Sequence, residues 1–321
     1  MAALRRKLIW AIDPFEEDVM FRVQLTQTLK ALSQRLSLLV EPTYVLSLAK
    51  EHEFESVHKA HKKQYHQAAM RAVKKNIEPI HGVKFLPPKV LFQADSSFSM
   101  LVRKLSEYAK HSGADAIIVG THARTGIPRL LLGSFTETLL LHSEIPVMSV
   151  GPKCVVRGDK PIKEQKILFS SDLTQDSEKI YPGVLDFANK LQAQVTVYHI
   201  TPHRVEPVLQ SGTYLLGGGW VGGPEAISQE DPATVELLTQ WVNRGIEQGL
   251  KVDYALESKR ANMAELILQQ AAAIEADFIA MAAESGPVRA WVIGSITRQV
   301  VRNAPCPVWI LRPASLSHSS S

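Results

Sequence analysis

Asp115–Gly151 reads DAIIVGTHARTGIPRLLLGSFTETLLLHSEIPVMSVG. An apolar run, Ala116 to Val119, ends at Gly120. A polar loop with Gly126 and Pro128 follows, and Gly133-Ser134 opens a segment whose apolar residues (Phe135, Leu139, Leu140) have helical spacing. Pro146 leads into a second short apolar run. The order is strand, loop, helix, strand. Unpaired N–H groups and the helix dipole make the start of such a helix a place for an anion. The same outline returns from Asp277 to Pro313.

Working outward, Lys7 to Ile12 is a continuous apolar run ending at Asp13-Pro14, as expected of a strand buried on both faces of a parallel sheet. Asp18 to Ser37 is helical in period, and Glu41 to Leu46 is a second strand containing Pro42. Lys50 to Lys75 is a long helix rich in His and Lys. Lys89 to Phe92 is a third strand, Ser96 to His111 a helix, and Val147 to Val150 the fifth strand. Alternating strands and helices predict a parallel sheet covered on both faces.

Gly151 to Gln165 is polar, with Gly and Pro, and reads as a linker. The pattern then restarts: Lys166 to Asp172 matches Lys7 to Asp13 in type and spacing. A helix (Ile180 to Leu191), strand (Val195 to Ile200), helix (Val235 to Gln248), strand (Val252 to Leu256), helix (Ala264 to Ala273) and strand (Phe278 to Met281) follow. Gly294-Ser295 opens the last helix and Val308 to Leu311 is the last strand. Residues 203–232 form a glycine-rich insertion expected to be a mobile loop, and the tail from residue 314 is expected to be disordered. A period of about 160 residues is too long for a solenoid, so the chain is two domains of one fold. The expected units are residues 1–152 and 166–313, joined by 153–165.

The 321 residues, 45% hydrophobic and 21% charged, suit a soluble protein with two ordinary cores. A net charge of +4 is too small to argue for DNA binding. The apolar run after Arg5-Arg6-Lys7 is too short for a signal peptide, and no stretch approaches the roughly 20 apolar residues of a membrane span. A cytoplasmic site is the expectation. Cys154 falls in the linker and Cys306 in a Pro-Cys-Pro turn, where a buried thiol is expected and no disulfide framework is suggested.

The first-strand Asp (Asp13, Asp172), the Ala-Asp before the fourth strand (Asp115, Asp277), the Gly-Ser helix starts, and the Ile-Pro-Val and Cys-Pro-Val entries to the last strands form one combination. It resembles the universal stress protein family, in a tandem arrangement covering nearly the whole chain. The resemblance implies two five-stranded parallel α/β sandwiches of strand order 3-2-1-4-5, related to adenine-nucleotide α-hydrolases. It also implies association through the fifth strands: an internal pseudo-dimer, with a further homodimer or a protein partner open. Many members bind ATP, with Mg, through Gly-x-x-Gly-x9-Gly-Ser/Thr.

Carried onto this chain, the resemblance implies a nucleotide site at Asp13, Val45, Gly120, Thr121, His122, Ala123, Arg124, Arg129, Gly133, Ser134 and Phe135. Ala123 stands where the motif has its second glycine, a position used where backbone approaches phosphate closely. In the second half Gly120 corresponds to Ala282 and His122 to about Glu284, leaving Asp172, Ile200, Gly294 and Ser295 as a degenerate site. The plainer reading of the same residues is turn glycines, a helix start and a capping Asp. His52, His58, His61 and His66 lack companions that would complete a metal site and read as a solvated face. Gly217–Gly223 lacks the Gly-Lys-Ser/Thr ending of a P-loop, and its Trp220 suits a lid or partner contact. No catalytic constellation appears, so the chain is not expected to be an enzyme. The expected function is a stress-response or signalling module binding an adenine nucleotide. The alternatives are a scaffold acting through protein partners, an enzyme of the related hydrolase superfamily, or a binder of another small ligand.

Overall fold

The computed structural model describes residues 6–15, 19–36, 38–47, 55–121, 134–154, 165–201, 231–259, 261–283 and 294–312. The linker residues 155–164, most of the glycine-rich insertion and the tail lie outside them. The first half contains β1 (Arg6–Ala11), α1 (Val19–Arg35), β2 (Leu38–Ser47), α2 (Glu55–Ile77), β3 (Lys84–Phe85), β4 (Lys89–Gln93), α3 (Phe98–His111), β5 (Ala116–Gly120), α4 (Ser134–His142) and β6 (Val147–Val150). The second contains β7 (Lys166–Ser170), α5 (Gln175–Leu191), β8 (Gln194–Ile200), α6 (Pro232–Glu247), β9 (Val252–Glu257), α7 (Met263–Ala273), β10 (Phe278–Ala282), α8 (Ser295–Asn303) and β11 (Val308–Leu311).

All pairings within each half are parallel. The second half runs β9-β8-β7-β10-β11, and the first runs β2-β1-β5-β6 with β3 and β4 both on the outer side of β2. Counting β3 and β4 as one interrupted strand, each half has the expected order 3-2-1-4-5. The fold is thus a two-domain α/β fold, and β6 pairs antiparallel with β11 to make one continuous sheet.

The third strand is broken because Leu86-Pro87-Pro88 separates its two pieces. Proline supplies no N–H to a ladder, so the break falls on the sheet edge, where it costs least. Pro42 is an interior residue of β2, paired with Trp10. Thr43 O accepts from Ile12 N–H on the β1 side, and Val40 O accepts from Leu86 N–H on the outer side. Backbone groups alternate sides along a strand, so the missing N–H of Pro42 faces outward, beside the Pro87-Pro88 gap.

Two apolar layers sandwich the sheet. One contains Leu8, Trp10, Leu25, Leu29, Phe169, Tyr181 and Trp241, under α1, α2, α5 and α6. The other contains Ile9, Leu105, Ile117, Leu139, Ile279, Val300 and Ile310, under α3, α4, α7 and α8. A buried carboxylate, Glu41, sits among the latter helices' contacts: Lys7 Nζ lies 2.5 Å from Oε2, and Tyr108 OH donates to Oε1 at 2.8 Å. On α2, His66 stacks on Phe92 and Lys62 Nζ lies 4.5 Å over the same ring, so both pack on the sheet edge. Helix α5 starts five residues earlier than its apolar spacing predicts, because Thr174 caps it by accepting from Ser177 N–H. Its Pro182 lies on the exposed side. Cys154 is not in a loose linker: it is 1% exposed and packs in the first layer. Burial pushes its thiol up to about 12, and Cys306 is buried likewise.

Helix α6 reaches the sheet through Gly245, where an added Cβ would lie 2.3 Å from Val252 Cγ2 and 3.3 Å from Leu185 Cδ2. Intrinsic propensity favours Ala over Gly in a helix. Overpacking outweighs it here, because the nearest atom is a short β-branched side chain with nowhere to turn. We expect Gly245→Ala to destabilise the chain by about 1–3 kcal/mol in denaturant titration.

Candidate functional site

In an open parallel sheet, ligands sit beyond the carboxyl ends of the strands, where the strand order reverses. In the first half that point lies between β1 and β5. Ala11 pairs with both Thr43 and Val119, which brings Asp13, Val45 and Gly120 to neighbouring strand ends. Asp13 Oδ1 accepts from Phe15 N–H at 3.0 Å, a turn that ends β1. The exposed Phe15 ring meets Tyr44 edge-on at 5.9 Å. Val45 is half-buried on the opposite face, with Phe135. Thr136 Oγ1, buried in the first turn of α4, donates to Gly120 O at 2.6 Å. This bond ties the amino end of α4 to the end of β5, and so places unpaired helix N–H groups at the same crevice. Thr121 N–H donates to Val150 O, and its side chain is buried.

The second half repeats this frame. Ser170 pairs with Tyr198 and Met281, so Asp172, Ile200 and Ala282 take the places of Asp13, Val45 and Gly120. The Asp172 carboxylate is differently engaged. Its Oδ1 accepts from Thr174 N–H (3.0 Å), Thr174 Oγ1 (2.7 Å) and Ser177 Oγ (2.7 Å). Burial opposes its charge, but these donors outweigh burial and hold the carboxyl below its ordinary range. Phe15 stands where the second half has Thr174, and offers no hydroxyl. The turn backbones differ as well: Leu173 has φ +58°, a left-handed conformation closed to Pro14 at the matching position. Behind the turn, buried His199 Nδ1 lies 2.9 Å from Ser171 O. Gly294 caps α8 with φ −55°, and Ser295 begins the helix.

Of the residues expected at the first site, Asp13, Val45, Gly120, Thr121 and Phe135 are brought to one edge, with the α4 backbone starting at Ser134. His122, Ala123, Arg124, Arg129 and Gly133 lie outside the described residues, as does Glu284. In the second half Asp172, Ile200, Gly294 and Ser295 are all described. Two features escaped the sequence reading. One is the Thr two residues after each Gly-Ser, Thr136 and Thr297, whose repetition was itself a signal. The other is the Phe15–Tyr44 pair, which no periodicity marks. Among the described residues no three His, Cys, Asp or Glu side chains could hold a metal ion together, and no helix is long and apolar enough to cross a membrane.

These features define a doubled parallel α/β protein with a topological switch point in each half. The chain belongs to the universal stress protein family, whose pattern matches residues 41–151 and 164–312. A universal stress protein of Methanocaldococcus jannaschii is 32% identical over 88 residues, 27% of this chain and 47% of that protein. The match thus spans about half the length of that relative. The solved structure of a universal stress protein from Archaeoglobus fulgidus covers 95% of this chain and 96% of its own, with TM-score 0.62 and 16% identity. A functionally unknown protein of Pseudomonas aeruginosa covers 96% and 93%, with TM-score 0.52 and 14% identity. At these identities the two structures speak for the fold.

The depressed Asp172 carboxyl gives a signed expectation. Its contribution is present above the unfolded carboxyl pKa and is lost as pH falls through the lower folded value. Asp172→Ala is expected to cost about 1 kcal/mol at neutral pH, as for a lost cap. In chemical denaturation the gap to wild type should narrow as pH falls through the carboxylate range.

Proposed function

We propose that the chain is a cytoplasmic stress-response or signalling module whose first half binds an adenine nucleotide and whose second half serves as its structural partner. The observation that carries this reading is the Thr136–Gly120 bond, which fixes the amino end of α4 beside Asp13 at the switch point. The helix N-terminus would take the phosphates, with His122, Arg124 and Arg129 from the loop adding donors. Asp13 and Val45 would border the nucleoside, and the exposed Phe15 and Tyr44 offer aromatic surface close by. Ala123 adds one methyl group to the loop and lowers affinity without abolishing it. Mg2+ would accompany ATP through its phosphates.

The second half is read as a partner because the Asp172 oxygen that would meet a ligand is engaged by three protein donors. Residues 1–152 and 166–313 are read as the two units, and the antiparallel β6–β11 pairing supports reading them as an internal pseudo-dimer. No turnover is expected of such a binding module. A scaffold role is the second reading, favoured by that same closed second site.

Titration calorimetry of the full chain with ATP, ADP and AMP tests the proposal. Binding at one site per chain is expected, weakened about tenfold or more by Gly133→Val, which puts a branched side chain where phosphate approaches the helix start. An absence of heat with all three nucleotides contradicts nucleotide binding and leaves the scaffold.

A further inference from the structure

Helices α4 and α8 are the same length, and each precedes its last strand by the same interval, so residue n of the first half matches n + 161 of the second from Ser134 to Val150. The junction obeys this relation. Met148 pairs with Trp309, its own counterpart, while Val147 pairs with Ile310 and Ser149 with Val308. A pseudo-twofold axis therefore passes midway between Met148 and Trp309.

Two further contacts lie about this axis. Arg312 reaches across to the carboxyl end of α4, donating to Leu140 O at 2.9 Å and to Leu141 O. Its counterpart Gly151 lies against the matching end of α8, where a Cβ would sit 3.1 Å from Val301 O. The other contact joins Arg298 of α8 to Glu137 of α4 in an ion pair, with side chains 37% and 30% exposed. Glu137 and Arg298 are each other's counterparts. In a symmetric pairing of two first halves this contact would be Glu against Glu. In a pairing of two second halves it would be Arg against Arg.

We propose that Glu137 and Arg298 form a partner-selecting charge pair, by which each half fits the other half of this chain and is mismatched to a second copy of itself. Opposite charges at a position that symmetry forces to meet itself reward only the mixed pairing, and the same contact penalises either like pairing. The rest of the axis is matched in the same sense. Met148 against Trp309 combines a flexible side chain with a large flat one. Arg312 caps α4 where the first half offers only Gly151. This specificity stands apart from nucleotide binding and does not depend on it.

Charge reversal within the intact chain recreates the rejected pairings. Glu137→Arg sets Arg against Arg, and Arg298→Glu sets Glu against Glu. In calorimetry at low salt each is expected to lower Tm by about 3 °C or more, Glu137→Gln by less, and the double swap to return close to wild type. The gap between Glu137→Arg and Glu137→Gln should shrink at about 1 M salt, which screens the repulsion. A double swap that loses the sum of the two single losses would overturn the proposal. So would a Glu137→Gln variant that falls as far as Glu137→Arg.

Discussion

A parallel sheet of five strands ends in an edge, and an apolar edge left open is a template for unwanted pairing. Val147–Val150 and Val308–Leu311 are such edges, each buried along its full length. Here each covers the other, and the pairing sets the rest of the arrangement. Because β6 and β11 run antiparallel, the carboxyl ends of the strands point in opposite directions in the two halves. The two switch points therefore face opposite ways along one sheet. The pairing also brings α4 beside α8, Arg312 over the end of α4, and Arg6 of β1 within 3.1 Å of Asp186 on α5.

The halves share a frame but have diverged at their turns. Both first strands end in an Asp whose Oδ1 accepts from the N–H two residues on. After Asp13 comes Pro14, which fixes a negative φ, then Phe15, exposed toward Tyr44. After Asp172 comes Leu173 at φ +58°, then Thr174, which draws the carboxylate onto the start of α5. One half follows its Asp with an aromatic side chain; the other turns its carboxylate to holding a helix. The same division of labour marks the junction, where one side supplies Glu137 and Gly151 and the other Arg298 and Arg312.

Much of this was legible in the sequence. The repeat follows from matched Asp, Gly-Ser and Pro-Val signals, and β6 and β11 have the bounds that their apolar runs predict. Periodicity failed where a proline or a polar cap sets the structure. The strand predicted from Glu41 begins at Leu38, and Pro42 is tolerated inside it because its missing N–H meets the Pro87-Pro88 gap, a coincidence between strands that one strand cannot announce. The first turn of α5, Gln175-Asp176-Ser177, has no apolar residue to mark it and is made by Thr174. Cys154 looks like linker by composition yet packs into the core, since the chain leaving β6 runs against α1 and α8: Gln24 Nε2 donates to Pro152 O and Lys153 Nζ to Asn303. In the candidate site, Asp13, Val45 and Gly120 came from the family resemblance, whereas the Thr136 tether is a tertiary bond that no local pattern announces.

Strands β6 and β11 are interior strands of one sheet. Hydrogen exchange of the intact chain, followed over residues 147–150 and 308–311, tests this most directly. Amides buried in a continuous sheet open only with large-scale unfolding. Protection in both strands is expected to be comparable to that of β5 and β10 beside them. Exchange in β6 and β11 as fast as at a free strand edge would contradict it.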